Sequence, residues 1–160
     1  MKTLLIATTN PAKLQEIKNT LQPLSPSITI KTLSDVDAIE EPVEDGATFE
    51  ENAKLKAKHY SDATGSPTIA DDGGLRIAAL SGAPGVLSRR WPGHSATDRE
   101  LIDYTLEQMK DIPEGKRQAK LTTCVCFYDS IHDTYHCEQA SVDGYITTTP
   151  RTYKTNGYPY

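Results

Sequence analysis

Apolar residues recur along the first part of the chain with two different periods, which predict alternating strands and helices. A short apolar run at 2–7 predicts a buried strand, and leucine and isoleucine at helical spacing predict a helix over 11–21. Alternating residues at 28–33 predict a second strand. A capping box at 48–51 is expected to begin a second helix that runs to about residue 63.

The second part of the chain is predicted to add a strand, a helix and a hairpin. A short apolar strand at 67–70 is expected to end in the polar sequence 71–74. There follow a Gly/Pro-rich loop at 81–96, a capped helix from 97 to about 110, two strands at 117–129 and 134–146 around a polar turn, and a loop at 147–160. This order predicts a single α/β domain over 1–160, with helices flanking a mixed central sheet.

Composition and charge exclude some classes of protein. The content of 37% hydrophobic and 24% charged residues is that of a globular protein. No apolar run approaches the roughly 20 residues that span a bilayer, and the N-terminus lacks a secretory pattern, so we expect a cytoplasmic protein without membrane contact. A net charge of −5 argues against sequence-independent binding of nucleic acid. The odd number of cysteines, three, predicts reduced thiols.

The first candidate site lies where the first strand is expected to give way to a helix, at Thr8-Thr9-Asn10-Pro11-Ala12-Lys13. Asn10 is a suitable N-cap and Pro11 suits the first helical position. The N–H groups of a helix N-terminus favour phosphate, and Lys13 would add a full positive charge. The alternative is an ordinary capped helix with a surface lysine.

A second candidate site is Asp71-Asp72-Gly73-Gly74, directly after a predicted strand. Ligands of open α/β sheets bind beyond the carboxyl ends of strands, and the glycines would let the backbone approach a ligand closely. Strand geometry sends successive side chains to opposite faces, so at most one of the two aspartates is expected to face a metal. The alternative is a polar turn.

Two further segments are candidate sites. The acidic stretch 40–51 offers oxygen ligands that suit Mg²⁺, and its alternative is a solvated acidic loop. Arg89, Arg90 and Trp91 could hold a phosphate and stack on a base, and their alternative is a surface loop anchored by Trp91. The chain has neither a P-loop nor a dinucleotide-binding glycine motif, and its cysteines and histidines match no standard zinc module.

Taken in order, these motifs resemble the inosine-triphosphate pyrophosphatase family, also called Ham1-like proteins. The resemblance runs from residue 2 to residue 160. It is carried by the first strand with Asn10, Lys13 and Glu16, by Glu44-Asp45-Gly46-Ala47-Thr48-Phe49-Glu50-Glu51-Asn52-Ala53 with Lys56-Ala57, by Ile69-Ala70-Asp71-Asp72-Gly73-Gly74-Leu75, and by Gly82-Ala83-Pro84-Gly85-Val86 with Ser88, Arg90 and Trp91.

The resemblance implies a fold, a reaction and a set of site residues. The fold is an elongated α/β fold that usually forms homodimers. The reaction cleaves inosine, deoxyinosine or xanthosine triphosphate to the monophosphate and pyrophosphate with Mg²⁺, although oxygen ligands would also suit Mn²⁺. Asp72 is implied as general base and metal ligand, and Glu44 as the second metal ligand. The implied substrate-binding residues are Thr8, Thr9, Asn10, Lys13, Gly73, Arg90, Trp91, Tyr158 and Tyr160.

The chain departs from the family pattern at Gly73 and towards residue 160. Gly73 stands where the family usually has Ser, and Tyr158-Pro159-Tyr160 stands where the family has an aromatic-Gly-aromatic run followed by Asp. Because the later Lys and Ser-His-Arg are absent, we expect about the last fifth of a usual member to be missing, with weak nucleotide binding and slow turnover. Two alternatives stay open: a nucleotide-binding homologue that has lost catalysis, and a structural or regulatory dimer without a ligand.

Overall fold

The computed structural model describes residues 2–23 and 27–152, which form a five-stranded sheet and α-helices. Its elements in chain order are β1 (Lys2–Ala7), α1 (Pro11–Leu21), β2 (Ile28–Thr32), α2 (Phe49–Thr64), β3 (Thr68–Ile77), α3 (Asp98–Gln108), β4 (Gln118–Asp129) and β5 (Thr134–Tyr145). The predicted order of elements is therefore confirmed. Tyr158 and Tyr160, two of the implied substrate-binding residues, lie outside the described residues.

The strands follow the order β2-β1-β3-β4-β5. β1 is parallel to both of its neighbours, with Leu5 opposite Lys31 of β2 and Thr68 of β3. The two last strands are joined by the short turn at 130–133, as in a hairpin, which requires antiparallel pairing. The prediction of an α/β protein with a mixed sheet is confirmed.

Within the chain, residues 1–72 and 124–139 form one compact unit, and residues 73–123 and 140–160 form another. The core of the first unit combines β1 with one face of α2. Phe49, Ala53 and Ala57 of α2 are buried and recur every four residues, so they line one face of the helix. The helix begins at the N-cap Thr48, whose side chain accepts the Glu51 N–H, and it ends at Gly65 in the left-handed conformation (φ 65°).

The second unit has a core of its own, formed by the buried residues Leu75, Ile77, Met109 and Ala119. Arg117 is also buried there, 3% exposed. Its guanidinium donates hydrogen bonds to the backbone carbonyls of Met109, Ile112, Ile146 and Thr147 at 2.6–3.0 Å. Because a buried charge is costly without hydrogen-bond partners, these carbonyls explain how an arginine can lie in this core. The three strands β3, β4 and β5 each run through both units, so the single domain over 1–160 stays a prediction.

β3 is longer than the sequence predicts. The prediction of a strand that ends at residue 70 is wrong, since β3 continues through 71–74 to Ile77. A side chain at Gly73 would place its Cβ 2.6 Å from the Thr122 carbonyl oxygen and 3.0 Å from Thr123 Cα of β4. The glycine therefore lets β3 pass close to β4, rather than making a turn.

The prediction of three reduced thiols is also wrong. Cys126 and Cys137 form a disulfide bond, with their Cα atoms 4.1 Å apart on the adjacent strands β4 and β5. The pairing of β4 with β5 brings Cys126 and Cys137 within bonding distance. The number of cysteines and the lack of a secretory pattern do not reveal this distance, so they could not predict the bond. Cys124 is a buried free thiol, and its burial, followed by the nearby negative charge of Glu50, raises the pKa of the thiol.

Candidate active site

The loop between β1 and α1 contains the first group of predicted site residues. Asn10 Oδ1 accepts hydrogen bonds from the N–H groups of Ala12 (2.9 Å) and Lys13 (3.3 Å), and Thr8 Oγ1 accepts one from the Asn10 N–H (3.3 Å). These bonds confirm Asn10 as the N-cap of α1. Since the Asn10 side chain already satisfies two N–H groups of this helix start, we expect Lys13 to supply most of the attraction for an anion here.

Lys13 and Asp71 form an ion pair that the sequence analysis did not anticipate. Lys13 Nζ lies 2.5 Å from Asp71 Oδ2, and the side chains are 26% and 5% exposed. Asp71 follows Ala70, the last residue of β3 that pairs with β1, opposite Ala7. The pair therefore joins the first turn of α1 to β3 at the point where β1 ends.

Asp72, the implied general base, is held by a different helix. It is 9% exposed, and its Oδ2 accepts a hydrogen bond of 3.0 Å from Asn52 Nδ2 of α2. Asp71 contacts α1 and Asp72 contacts α2, which agrees with the expectation that successive strand residues point to opposite faces.

Asn52 is the most buried polar residue of this site, and the sequence analysis gave it no role. It is fully buried, and its Oδ1 accepts the Gly46 N–H at 2.8 Å while its Nδ2 donates to Asp72. A single side chain of α2 thus contacts both the loop before the helix and strand β3. The sequence does contain a signal for Asn52: it lies one helical turn before Lys56, and residues four apart share a helix face.

Glu44, the implied second metal ligand, is paired with Lys56. Glu44 Oε1 lies 2.8 Å from Lys56 Nζ, and the side chains are 32% and 17% exposed. Lys56 and Asn52 occupy adjacent turns of α2, so the helix holds the partners of Glu44 and Asp72 side by side. This differs from a purely solvated acidic loop, the alternative for 40–51.

Negative charge is concentrated around this part of the first unit. The buried hydroxyl of Tyr60 has a raised pKa, mainly because of burial and further because of the charges of Glu41 and Glu44. Across the ranges 2–23 and 27–152, no group of three or more His, Cys, Asp or Glu residues is arranged to hold a metal ion. Three acidic side chains of this site have polar partners: Asp71 contacts Lys13, Asp72 contacts Asn52, and Glu44 contacts Lys56.

The remaining predicted residues, Gly73, Arg90 and Trp91, belong to the second unit. Trp91 is half-buried, packs against the core of that unit and meets Tyr104 edge-on at 5.3 Å between ring centroids. This packing agrees with the alternative that Trp91 anchors its loop. Arg90 is exposed at the end of a 3-10 turn, Gly85–Arg90, whose Ser88 accepts the Leu75 N–H at 2.9 Å.

Fold and site together define an α/β protein with paired acidic and basic side chains where parallel strand β1 ends beside β3. A comparison with protein families matches the Ham1 family over residues 4–160. The chain belongs to the Ham1 family, which confirms the resemblance found in its motifs.

Individual relatives agree with this assignment. The chain is 44% identical over 128 residues to a dITP/XTP pyrophosphatase of Photorhabdus laumondii, a match over 80% of this chain and 63% of the relative. It is 38% identical over 157 residues to the dITP/XTP pyrophosphatase of Corynebacterium diphtheriae, over 98% of this chain and 74% of the relative. A HAM1 protein of Coxiella burnetii has a similar structure, with a TM-score of 0.87, 34% identity, and coverage of 100% and 79%.

The chain is shorter than the proteins that it resembles. Its matches span about two thirds of the length of the curated relatives, 63% of the first and 74% of the second. What these relatives act on is therefore considered for this chain as a proposal.

Proposed function

We propose that this protein hydrolyses purine nucleoside triphosphates with non-standard bases, namely ITP, dITP and XTP, to the monophosphate and pyrophosphate. Membership of the Ham1 family and the names of the dITP/XTP pyrophosphatase relatives support the reaction. The observation that carries the proposal is the buried Asp72 carboxylate, anchored by Asn52 and next in sequence to the Lys13–Asp71 pair. Consecutive residues of β3 thus hold a candidate base for water, Asp72, and the partner of a candidate cation for phosphate, Lys13.

Asp72 is the proposed general base. A carboxylate can accept the proton of a water molecule that attacks phosphorus, provided that its oxygen atoms are held within reach of that proton. The hydrogen bond from Asn52 Nδ2 to Asp72 Oδ2 restrains the orientation of the carboxylate. The position of Asp72 inside strand β3 also restrains its backbone.

Asp72 and Glu44 are the proposed ligands of Mg²⁺. Both are carboxylates and their partners lie on adjacent turns of α2, so the donor chemistry fits the ion. Mg²⁺ needs only one or two protein carboxylates, because water and substrate phosphates complete its coordination. The bound ion would neutralise phosphate charge and polarise the phosphorus centre; Mn²⁺ has the same ligand preference.

Lys13 is the proposed main phosphate contact, with Thr8, Thr9 and Asn10 beside it. Its ammonium group is paired with Asp71, and the Lys13 side chain as a whole is 26% exposed, so it is not sealed from solvent. A bound triphosphate would contact the Lys13 ammonium group alongside Asp71. The lysine would then stabilise the negative charge that develops on the phosphate oxygens during cleavage. The implied substrate contacts Gly73, Arg90 and Trp91 stay predictions from the family resemblance.

The alternative proposal is a nucleotide-binding homologue with impaired catalysis. It is favoured by Gly73, which stands where the family pattern has a serine hydroxyl and where a Cβ would lie 2.6 Å from the Thr122 carbonyl oxygen. A side chain cannot be accommodated there without a shift of β4. This alternative predicts binding of ITP with little release of pyrophosphate.

Pyrophosphate release distinguishes these two proposals. The assay compares ITP, XTP, dITP, GTP and ATP with Mg²⁺ for the unchanged chain, Asp72→Asn, and Asp62→Asn as a control. Asp62 is on the same helix as Asn52 and pairs with Lys58 at the surface. We expect release from ITP and XTP that Asp72→Asn abolishes and Asp62→Asn retains. Binding of ITP without release would favour the alternative, and neither binding nor release would reject both.

Association and location are also proposed. We propose a homodimer, as the family resemblance implies, and a cytoplasmic location, because the dITP/XTP pyrophosphatase relatives act in nucleotide metabolism. Among the helices of the described residues, none combines the length and the apolar character needed to cross a membrane. Light scattering over a range of concentrations tests the dimer.

A further inference from the structure

We propose that Asn52 is a positioning residue that holds the Asp72 carboxylate and the loop residue Gly46 in a fixed arrangement. The proposal rests on the proposed function, in which Asp72 is the base and the neighbouring Glu44 is a metal ligand. Asn52 acts through Asp72, without itself contacting the reacting atoms.

Both polar atoms of the Asn52 carboxamide are used, and their identities are determined by their partners. The Gly46 N–H can only donate, so the atom 2.8 Å from it is Oδ1. That leaves Nδ2 to donate to Asp72 Oδ2 at 3.0 Å. An asparagine supplies a donor and an acceptor on one short, planar group, which a serine or an aspartate at neutral pH does not.

The backbone at Gly46 lies close against the Asn52 side chain. A side chain at Gly46 would place its Cβ 2.6 Å from Asn52 Oδ1 and 2.8 Å from Glu51 Cβ. Glu51 holds the same segment, because its Oε2 accepts the Ala47 N–H at 2.7 Å. The loop therefore closes tightly onto the first turn of α2, and this contact orients the Asn52 side chain towards β3.

A structural role alone explains this arrangement less well. A fully buried amide costs free energy on transfer from water and is compensated only by its hydrogen bonds, whereas the alanines Ala53 and Ala57 fill the neighbouring buried positions of α2. The hydrogen bonds of Asn52 link Gly46, two residues after Glu44, to the carboxylate of Asp72. The residue thus connects the Asp72 carboxylate to the segment of backbone that follows Glu44.

Kinetics of Asn52 variants test the proposal. Asn52→Leu keeps the branching at Cγ but has no hydrogen-bonding groups, and Asn52→Gln retains the carboxamide on a longer stem. The control is Ser61→Ala, which removes hydrogen bonds to Ser130 from another fully buried polar residue of α2. Since a hydrogen bond to a charged group is lost, we expect kcat for ITP to fall by about tenfold to a hundredfold in Asn52→Leu.

The pattern of effects separates positioning from general destabilisation. We expect KM in Asn52→Leu to stay within about threefold, because Asn52 does not contact the substrate. Asn52→Gln, which keeps the carboxamide, should recover part of kcat. Ser61→Ala should lower the melting temperature while it retains kcat. A similar loss of kcat in Asn52→Leu and Ser61→Ala would overturn the proposal.

A second measurement does not depend on activity. In NMR spectra of the whole chain, Asn52→Leu should accelerate hydrogen exchange of the Gly46 amide, and Asp72→Ala should shift the side-chain amide resonances of Asn52. If the chain releases no pyrophosphate, the proposed reaction fails while these two effects still support the Asn52 linkage. Unchanged spectra in both variants would reject the linkage, whatever the activity.

Discussion

Two lysine ion pairs of this protein have the same Nζ–O distance, 2.5 Å, and differ in burial. Lys13 pairs with Asp71, whose side chain is 5% exposed, whereas Lys110 and Glu107 are both more than half exposed. A buried carboxylate depends on its partner far more than an exposed one, because water cannot replace the lost cation. The environment of each pair, and not its geometry, should decide its contribution to stability.

Replacing Lys13 should therefore destabilise the fold as well as weaken substrate binding. We expect Lys13→Met to lower the free energy of unfolding by about 1–3 kcal/mol, below the usual loss for a buried pair because Lys13 is partly exposed. Lys110→Met, the matched control, should cause no measurable change. Urea denaturation of both variants measures the difference. Equal effects, or no recovery of stability in Lys13→Met with Asp71→Asn, would contradict this explanation.

The cysteines differ in their accessibility to reagents. Cys124 is a buried free thiol with a raised pKa, and Cys126 is bonded to Cys137. Because the thiolate is the reactive form, Cys124 should react slowly in the native protein.

Counting thiols checks this assignment. We expect alkylation followed by mass spectrometry to label one cysteine in denaturant without a reductant, and three after reduction. Cys124→Ala should label none before reduction. Three labelled cysteines without a reductant would show that Cys126 and Cys137 are not bonded.

Among the regular elements, β3 departs most from its local sequence pattern. Asp-Asp-Gly-Gly favours a turn, yet the strand continues because Gly73 lets the backbone approach Thr122 of β4. The helix starts behave differently. The N-caps at Asn10, Thr48 and Thr97 form as the sequence predicts, since their bonds join residues no more than four apart. The capping box is complete at Thr97, but the one predicted at Thr48 is wrong in its second half, because Glu51 accepts the Ala47 N–H and not the Thr48 N–H.

Adding one methyl group tests whether close strand approach is the reason for Gly73. We expect Gly73→Ala to cost about 1–3 kcal/mol, as overpacking does, because the Cβ would meet backbone atoms that cannot rotate away. Gly115→Ala is the control, since no atom lies within 4 Å of its Cβ position, and it should change stability by less than about 0.5 kcal/mol. Thermal or urea denaturation compares the two. A neutral Gly73→Ala would mean that β4 can move at little cost.

For the whole molecule, the question is whether nucleotide binding survives in a chain whose matches span 60% to 74% of the length of the curated relatives compared. A ligand that binds the folded state raises the melting temperature, and the rise grows with the logarithm of the ligand concentration relative to the dissociation constant. Binding is thus separable from turnover. Its presence also separates the proposed enzyme and its impaired homologue from a structural dimer without a ligand.

We expect ITP and XTP with Mg²⁺ to raise the melting temperature in a concentration-dependent way, by more than ATP and GTP do. At a hundredfold excess over the dissociation constant the stabilisation is about 2.7 kcal/mol. Differential scanning fluorimetry with inorganic phosphate as a control measures it. No shift with any nucleotide up to millimolar concentration would favour the structural role.

The sequence by itself determined the order of the elements, the starts of the helices and the family, because these depend on periodicity, on caps within four residues and on contiguous motifs. It also identified Asp72, Lys13 and Glu44 as candidates, and their proposed roles remain to be tested. Only the tertiary structure decided their partners. The bonds of Lys13 with Asp71 and of Asn52 with Asp72 join residues 58 and 20 positions apart. Such contacts arise from the packing of helices on strands, as does the path of β3 past β4, and no local pattern encodes either.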